Sequence, residues 1–358
     1  MSAGLRSFAR RLSPSFHVLL LTLSVTSALP SIRSSTCCFM TRIPRQENPV
    51  PCFASEACQE LRMPLGINIP ILYESDRVLA VNKPHGIPHH DDVASGTAGI
   101  LTLIRMLQKR DDETGISYKG RVFGVHRLDR ATSGILLFAK DAKTAGMLCK
   151  SFREKDVVKY YVAVSSKKPK KSKQGWIRGD MAKGRRGGWI LKKTTINPAV
   201  TRFFTAGLGG LSDNAIGNLS IAGGSEVVAQ EGKTPLPRTV ILFQPHTGRT
   251  HQLRVAAKSV GLPILFDPYY GDGSSFICDP DQNQHNVVHR TYLHSLALHL
   301  DLDGKEAITI WCPPPFGDLL WESNGSSGFD KIVGRLLEKH CESEEILGEL
   351  QKQNKSGK

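Results

Sequence analysis

Val125-His126-Arg127-Leu128-Asp129-Arg130-Ala131-Thr132-Ser133-Gly134 runs directly into Ile135-Leu136-Leu137-Phe138-Ala139. The second part is short, apolar and preceded by a turn signal, which is the pattern of a buried strand. Asp129 therefore sits in a Thr-Ser-Gly turn at the mouth of a core strand. His126, Arg127 and Arg130 lie within three residues of it. Nearby cations favour the ionised form of a carboxylate. The arrangement suits a permanently charged nucleophile or base better than a proton donor. The structural alternative is an Arg/Asp surface network beside a turn.

Other apolar runs extend this picture on both sides. Val78–Lys83 reads as a strand stopped by Pro84 and Gly86, after a lead-in at 70–76. Thr97 is the expected cap of a helix over Leu101–Leu107, and Asp141 that of a helix reaching 154–156. Strands are expected at 159–164, 199–204 and 239–243. Residues 175–193 read as a hairpin with a basic, Gly-rich tip, whose Trp176 and Trp189 serve either hairpin packing or base stacking. Lys167-Lys168-Pro169-Lys170-Lys171-Ser172-Lys173 is a solvated loop or a phosphate contact. The segment 206–236 is rich in Gly, Ser and Asn and is expected to be a flexible insertion. Pro245-His246-Thr247-Gly248-Arg249-Thr250-His251-Gln252-Leu253-Arg254-Val255 opens a helix with an apolar stripe at Leu253, Ala256, Ala257 and Val260, ended by Gly261. Arg249 lies at its start and Arg254 off that stripe. Such a helix start can hold an anion.

His-Arg-Leu-Asp-Arg followed by Thr-Ser-Gly and an apolar strand resembles the RluA-type pseudouridine synthases. Thr-Gly-Arg-Thr-His-Gln-Leu-Arg at 247–254 is a second signature, and the Lys159-Tyr160-Tyr161 strand a weaker third. Asn82-Lys83-Pro84-His85-Gly86 and Arg290-Thr291-Tyr292-Leu293-His294 match further family strings. The resemblance covers roughly residues 70–317. Two departures stand out. Phe266 replaces a glycine in the turn at 261–267, so the backbone there is expected to differ, and Ala256 replaces a common histidine.

The resemblance implies an α+β fold: a mixed, mainly antiparallel sheet with flanking helices and a central RNA-binding cleft. It implies isomerisation of uridine to pseudouridine within tRNA or rRNA. Nothing is oxidised or hydrolysed, so no cofactor and no metal are expected. Asp129, Tyr161 and Arg254 are the implied catalytic residues. Arg254 would pair with Asp129, with Arg249 as the alternative partner. Arg127, Arg130, Arg249 and His126 are assigned to RNA, Arg127 filling the gap left by the flipped uridine and His126 mainly shaping its loop. An idle RNA-binding or ribosome-assembly factor on the same fold, and a hydrolase using Asp129, are the other two readings.

Composition sets wider bounds. The chain has 358 residues and a formal net charge of +14. Residues 1–46 hold six arginines, no lysine and no acid, which leaves +8 for residues 47–358. A basic folded part favours a polyanionic partner. None of the eight cysteines forms a C-x-x-C pair, so neither a zinc site nor a disulfide framework is expected. His85, His89 and His90 raise a metal reading, but Pro88 interrupts the helical spacing, and a polar loop fits better.

Arg6, Arg10 and Arg11 precede an apolar run at 16–23 and small residues at 24–30, the layout of a secretory signal. Residues 31–46 are Arg- and Ser-rich, like a transit peptide. Together they resemble bipartite plastid targeting; a single mitochondrial or plastid presequence is the other reading. The expected organisation is a targeting segment at 1–46, a linker at 47–66, a catalytic domain at 67–322 and a C-terminal helix (329–340) with a polar tail over 323–358. No membrane association of the mature form and a monomer are expected.

Overall fold

The run after the Asp129 turn becomes the centre of the molecule. A computed structural model describes residues 69–109, 118, 120–184, 187–208, 238–271, 290–304, 306–314 and 328–356. The expected targeting segment and linker, and all but the first residues of the insertion, lie outside them. The strands are β1 (Ile71–Glu74), β2 (Val78–Lys83), β3 (Phe123–Gly124), β4 (Ser133–Ala139), β5 (Val158–Ser165), β6 (Gln174–Gly179), β7 (Met181–Lys183), β8 (Trp189–Leu191), β9 (Ala199–Gly207), β10 (Thr239–Pro245), β11 (Leu293–Leu302) and β12 (Glu306–Trp311). The helices are α1 (Ile100–Lys109), α2 (Ala142–Glu154), α3 (Gln252–Ser259), α4 (Gly328–His340) and α5 (Glu344–Ser356).

Ten strands form one mixed sheet in the order β1-β2-β4-β11-β5-β10-β9-β6, with β12 beside β11 and β3 beside β4. β4 and β11 are the parallel pair; the other pairings are antiparallel. Every residue of β4 is buried, because strands flank it and side chains cover both its faces. Gly134 permits the close β4–β11 approach. Its φ is +104°, and a Cβ there would lie 2.3 Å from the Ser295 carbonyl oxygen. The fold is thus the α+β arrangement that the resemblance implies.

Period-two alternation separates the two faces. Leu79, Val81, Leu136, Phe138, Ala163, Ile241 and Phe243 pack with Leu103 and Ile104 of α1 and Leu253 and Ala257 of α3. Their strand neighbours point the other way. Val162, Val164, Val240 and Leu242 meet Val333, Leu336 and Leu337 of α4 and Ile346 and Leu350 of α5. Val78, Ala80, Ile135 and Leu137 meet Leu148 of α2. Each such aliphatic side chain, fully buried, contributes about 1.5–3 kcal/mol.

Local expectations hold at α2. Asp141 accepts from the Thr144 N–H at 2.8 Å, and Lys155 closes the helix in the left-handed region. Four others are corrected. Thr97 does not cap α1; the Asp91 carboxylate does, accepting from Gly99 N at 2.7 Å and Thr102 Oγ1 at 3.0 Å. The 175–193 hairpin splits: β6 joins the main sheet beside β9, and only β7 and β8 form a separate hairpin. β9 runs to Gly207, into the expected insertion. The polar tail from 351 is largely helix, since α5 continues to Ser356. Ile346, Leu347 and Leu350 give α5 its inner face, too few apolar positions to mark it in sequence.

Two histidines sit neutral inside this frame. His294 is fully buried; its Nε2 donates to the Cys312 carbonyl at 3.0 Å and its Nδ1 faces Ser133 Oγ at 2.9 Å. His126 Nε2 accepts from Leu137 N at 2.9 Å. Burial pushes both down to about 3, aided by Lys159 at His126 and, at His294, outweighing the hydrogen bond to the Cys312 carbonyl. Their folded values lie below the unfolded one, so between about pH 6.5 and the folded values near 3 only the unfolded chain binds the proton. Stability present above that pH is lost as pH falls, by up to about 1.4 kcal/mol per pH unit for His294 alone. Thermal unfolding at pH 7.5 and pH 5 tests this. A clearly lower midpoint at pH 5 is expected, and an unchanged midpoint would refute it.

Candidate active site

Asp129 stands on the connection from β3 to β4. Its carbonyl accepts from Thr132 N at 3.0 Å, closing the turn before the central strand. The side chain is 16% exposed and faces the guanidinium of Arg254, with Nη1 to Oδ2 at 3.7 Å. That is a contact of opposite charges, longer than a hydrogen bond.

Arg254 is committed elsewhere. Its Nε donates to Asp267 Oδ2 at 2.6 Å and its Nη2 to Asp267 Oδ1 at 2.8 Å. Asp267 Oδ1 also accepts from the backbone N–H groups of Tyr269 and Tyr270, both at 2.9 Å. The guanidinium lies 5.0 Å from the centre of the Tyr270 ring. Burial works against the Arg254 charge, but the Asp267 hydrogen bond and the two carboxylates outweigh it and raise the pKa. The sequence reading placed Arg254 off the buried stripe with Asp129 as its partner. Instead it is buried, at 3% exposure, with Asp267 as the close partner and Asp129 as the second.

Asp267 owes its position to the turn before it. Phe266 has φ +55°, the left-handed conformation that glycine adopts freely. A non-glycine side chain is thus held in a glycine-like conformation, at a cost of about 1–2 kcal/mol. The Phe266 ring packs 5.8 Å from that of Tyr292.

Tyr161 comes from β5 and is buried. Burial, reinforced by the Asp129 charge and opposed by the Ser295 hydroxyl, pushes its pKa up to about 12. The hydroxyl therefore stays protonated at ordinary pH. Lys83, at the end of β2, is fully buried and donates to the Pro84 and Ile87 carbonyls, both at 2.8 Å. Burial brings it down to about 7, against the opposing pull of Asp129.

His251 has φ +56° at the start of α3, and its Nδ1 is 2.8 Å from the Tyr270 hydroxyl. That hydroxyl accepts from Trp189 N, also at 2.8 Å. The β7–β8 hairpin is thereby tied to the same cluster.

The remaining assigned residues are scattered. Arg127 is exposed and makes no hydrogen bond or ion pair among the described residues. Arg130 binds the 84–92 loop, donating to the Gly86 carbonyl at 2.9 Å and to Asp92 at 3.2 Å. Arg249 is exposed, bonds Asn197 through its side chain, and does not reach Asp129. His126 turns inward, as a loop-shaping residue would: its ring stacks on Phe152 at 4.6 Å while its Nε2 holds the β4 backbone. His89 and His90 pack ring-to-edge at 4.6 Å, and the described residues contain no group of three or more potential metal ligands.

Sequence reasoning missed Asp267, Tyr270, His251, Lys83 and Ser295. Asp267 stood inside a quoted motif, but nothing local to it points at an arginine thirteen positions away.

What the cluster offers chemically is a carboxylate beside a rigid cation, a protonated phenol and a second cation whose charge burial disfavours. Residues 77–259 match the family described as RNA pseudouridylate synthase. The "Uncharacterized RNA pseudouridine synthase" of Haemophilus influenzae is 36% identical over 251 residues, covering 70% of this chain and 90% of that one. "Ribosomal large subunit pseudouridine synthase C" of Rickettsia conorii is 35% identical over 203 residues, and the match spans 56% of each chain. The solved structure of "Human RNA Pseudouridylate Synthase Domain Containing 1" aligns with a TM-score of 0.50 and 24% identity, over 76% of this chain and 97% of that one, a likeness of fold.

Proposed function

The chain belongs to the RluA-type RNA pseudouridylate synthases, and from this premise we propose that it isomerises uridine to pseudouridine within tRNA or rRNA, with Asp129 as the reacting carboxylate. The observation that carries the residue assignment is the fixed geometry around that carboxylate. Arg254, clamped by Asp267, holds its remaining nitrogen 3.7 Å from Asp129, and Tyr161 lies close enough to feel the Asp129 charge.

In the proposed reaction the C1′–N1 bond breaks, the uracil turns, and a C1′–C5 bond forms. The C5 proton leaves to solvent and N1 gains one, so atoms and electrons balance without an oxidant, a reductant or a hydrolytic water. Asp129 acts on the ribose, either adding to C1′ or removing the C2′ proton. Arg254 stabilises the carboxylate between these states, since a preorganised buried cation needs no reorganisation during the step. Tyr161 packs against the base and, being protonated, relays a proton instead of abstracting one. Arg127, free of protein partners among the described residues, fills the gap left by the extruded nucleotide. Extrusion costs a few kcal/mol, comparable to what stacking and charged contacts return.

The organellar address proposed for residues 1–46, plastid or mitochondrial, rests on their arginines and apolar run. We place the working form as a monomer in that organelle.

Incubation with RNA tritiated at uridine C5 tests the reading. Tritium released to water, with no chain cleavage and no free uracil, is expected. Tight RNA binding without release would instead identify an idle binding factor, and free uracil a hydrolase.

A further inference from the structure

From Val157 to Gly179 the chain carries seven lysines and arginines and no acid. Lys167, Lys168, Lys170, Lys171, Lys173 and Arg178 are all exposed. The lysine run is pinned where it meets the sheet, because Thr205 Oγ1 donates to the Lys173 carbonyl at 2.7 Å. It leads into β6, the last strand of the sheet, whose outer edge is unpaired among the described residues.

Trp176 on β6 is 47% exposed. Its strand neighbour Ile177 packs into the core beneath α1 and α3, so Trp176 points to the opposite face. Arg178 and Arg202 lie 4.9 and 5.5 Å from the centre of its ring, and the His246 ring lies at 5.0 Å. Glu342, bonded to Arg202, is the carboxylate at this cluster, with Asp180 just beyond the strand. Strand spacing puts β6 roughly 14 Å from β5, three strands across.

The two arginines attract the indole face, but in the free protein part of the ring stays exposed beside a lysine run with no polyanion to neutralise it. Crowded like charges repel, and apolar area is left in water. Both costs reverse when a polyanion with aromatic groups arrives. Phosphates neutralise the lysines, and a base stacks on the indole. An unpaired strand fits better than a duplex, because stacking on a side chain needs a base whose face is free. We propose that Trp176, Arg178 and the Lys167–Lys173 loop form a second RNA-contact surface, outside the Asp129 cleft, that takes unpaired nucleotides flanking the target. This inference rests on the reading of the chain as an RNA-modifying enzyme.

The test uses the full chain with a labelled single-stranded RNA of mixed sequence and a duplex of equal length. Trp176→Ala should weaken single-strand binding on the order of tenfold, the scale of one lost stacked base, with the salt dependence unchanged. Replacing the five lysines of the loop by glutamine should flatten the salt dependence by up to about 0.7 log unit per lost phosphate contact. That loop variant does not disturb the sheet, so it serves if Trp176→Ala folds poorly. Neither change should alter tritium release from a short oligonucleotide held by the cleft alone by more than about twofold. Wild-type binding by both variants would overturn the surface, as would equal loss on duplex and single strand. So would a wild-type dimer, without RNA, that Trp176→Ala disperses, since a second copy would then be the occupant. Normal tritium release with unchanged binding sinks the surface alone. Absent release with the expected binding losses sinks the isomerase reading alone.

Discussion

Asp129→Asn is expected to lower turnover at least about 10³-fold, the scale on which loss of a single reacting group falls. The amide keeps the shape of the carboxylate but can neither add to the ribose nor take a proton from it. The fold should survive, because Arg254 retains its close partner, Asp267, and does not become an unpaired buried cation. RNA affinity should stay within a few-fold or tighten slightly, since a negative charge leaves a site that receives a polyanion. Single-turnover rates and binding measured on the same RNA test both halves. Turnover within tenfold of wild type would remove Asp129 from the mechanism. Lost binding would mean that the residue shapes the cleft instead of reacting in it.

Asp267→Asn should act through Arg254 and is the second large effect. Asp267 occupies two guanidinium nitrogens and leaves the third for Asp129. Without that clamp the buried cation has Asp129 as its remaining carboxylate, and it closes on it. A carboxylate drawn into a tight ion pair is less free to react. We expect kcat to fall on the order of 10²-fold, with KM for RNA nearly unchanged, because a misplaced group near the chemistry has that scale of cost. Breaking a buried ion pair also costs about 3–5 kcal/mol of stability. A merely structural role would show the stability loss without the kcat loss. The double variant with Arg254→Gln provides a second check, since residues acting as a unit do not add. A kcat within threefold of wild type, or losses that multiply in the double variant, would refute the positioning role.

The strands and their motifs were legible in sequence for a simple reason. Val78–Lys83 was read with the bounds it has in the fold, because a run with a Pro-x-Gly stop carries its own punctuation. Asp141 as a cap was equally local, with its partner three residues on. Asp91 as the cap of α1 was not, since the loop that delivers it folds back from eight residues upstream of Gly99. β6 and β7 looked like one hairpin because they are adjacent in sequence. Their division depends on β9, which recruits β6 into the main sheet. His126 shapes its loop as expected, but its place beside Asp129 in the chain said nothing of Phe152 in α2, which holds its ring.

By itself, the order of residues determined the apolar periodicities, the turn chemistry and the string around Asp129, and with them the fold class and the family. Those properties are carried by neighbours within a few positions, where backbone geometry and side-chain pattern are enough. The tertiary structure alone decided which charges meet. Arg254 faces two carboxylates because β4, α3 and the Phe266 turn converge there, and Trp176 faces away from that cluster because Ile177 takes the inner side of β6. Electrostatic contact depends on distance through space, which the linear order of residues does not record.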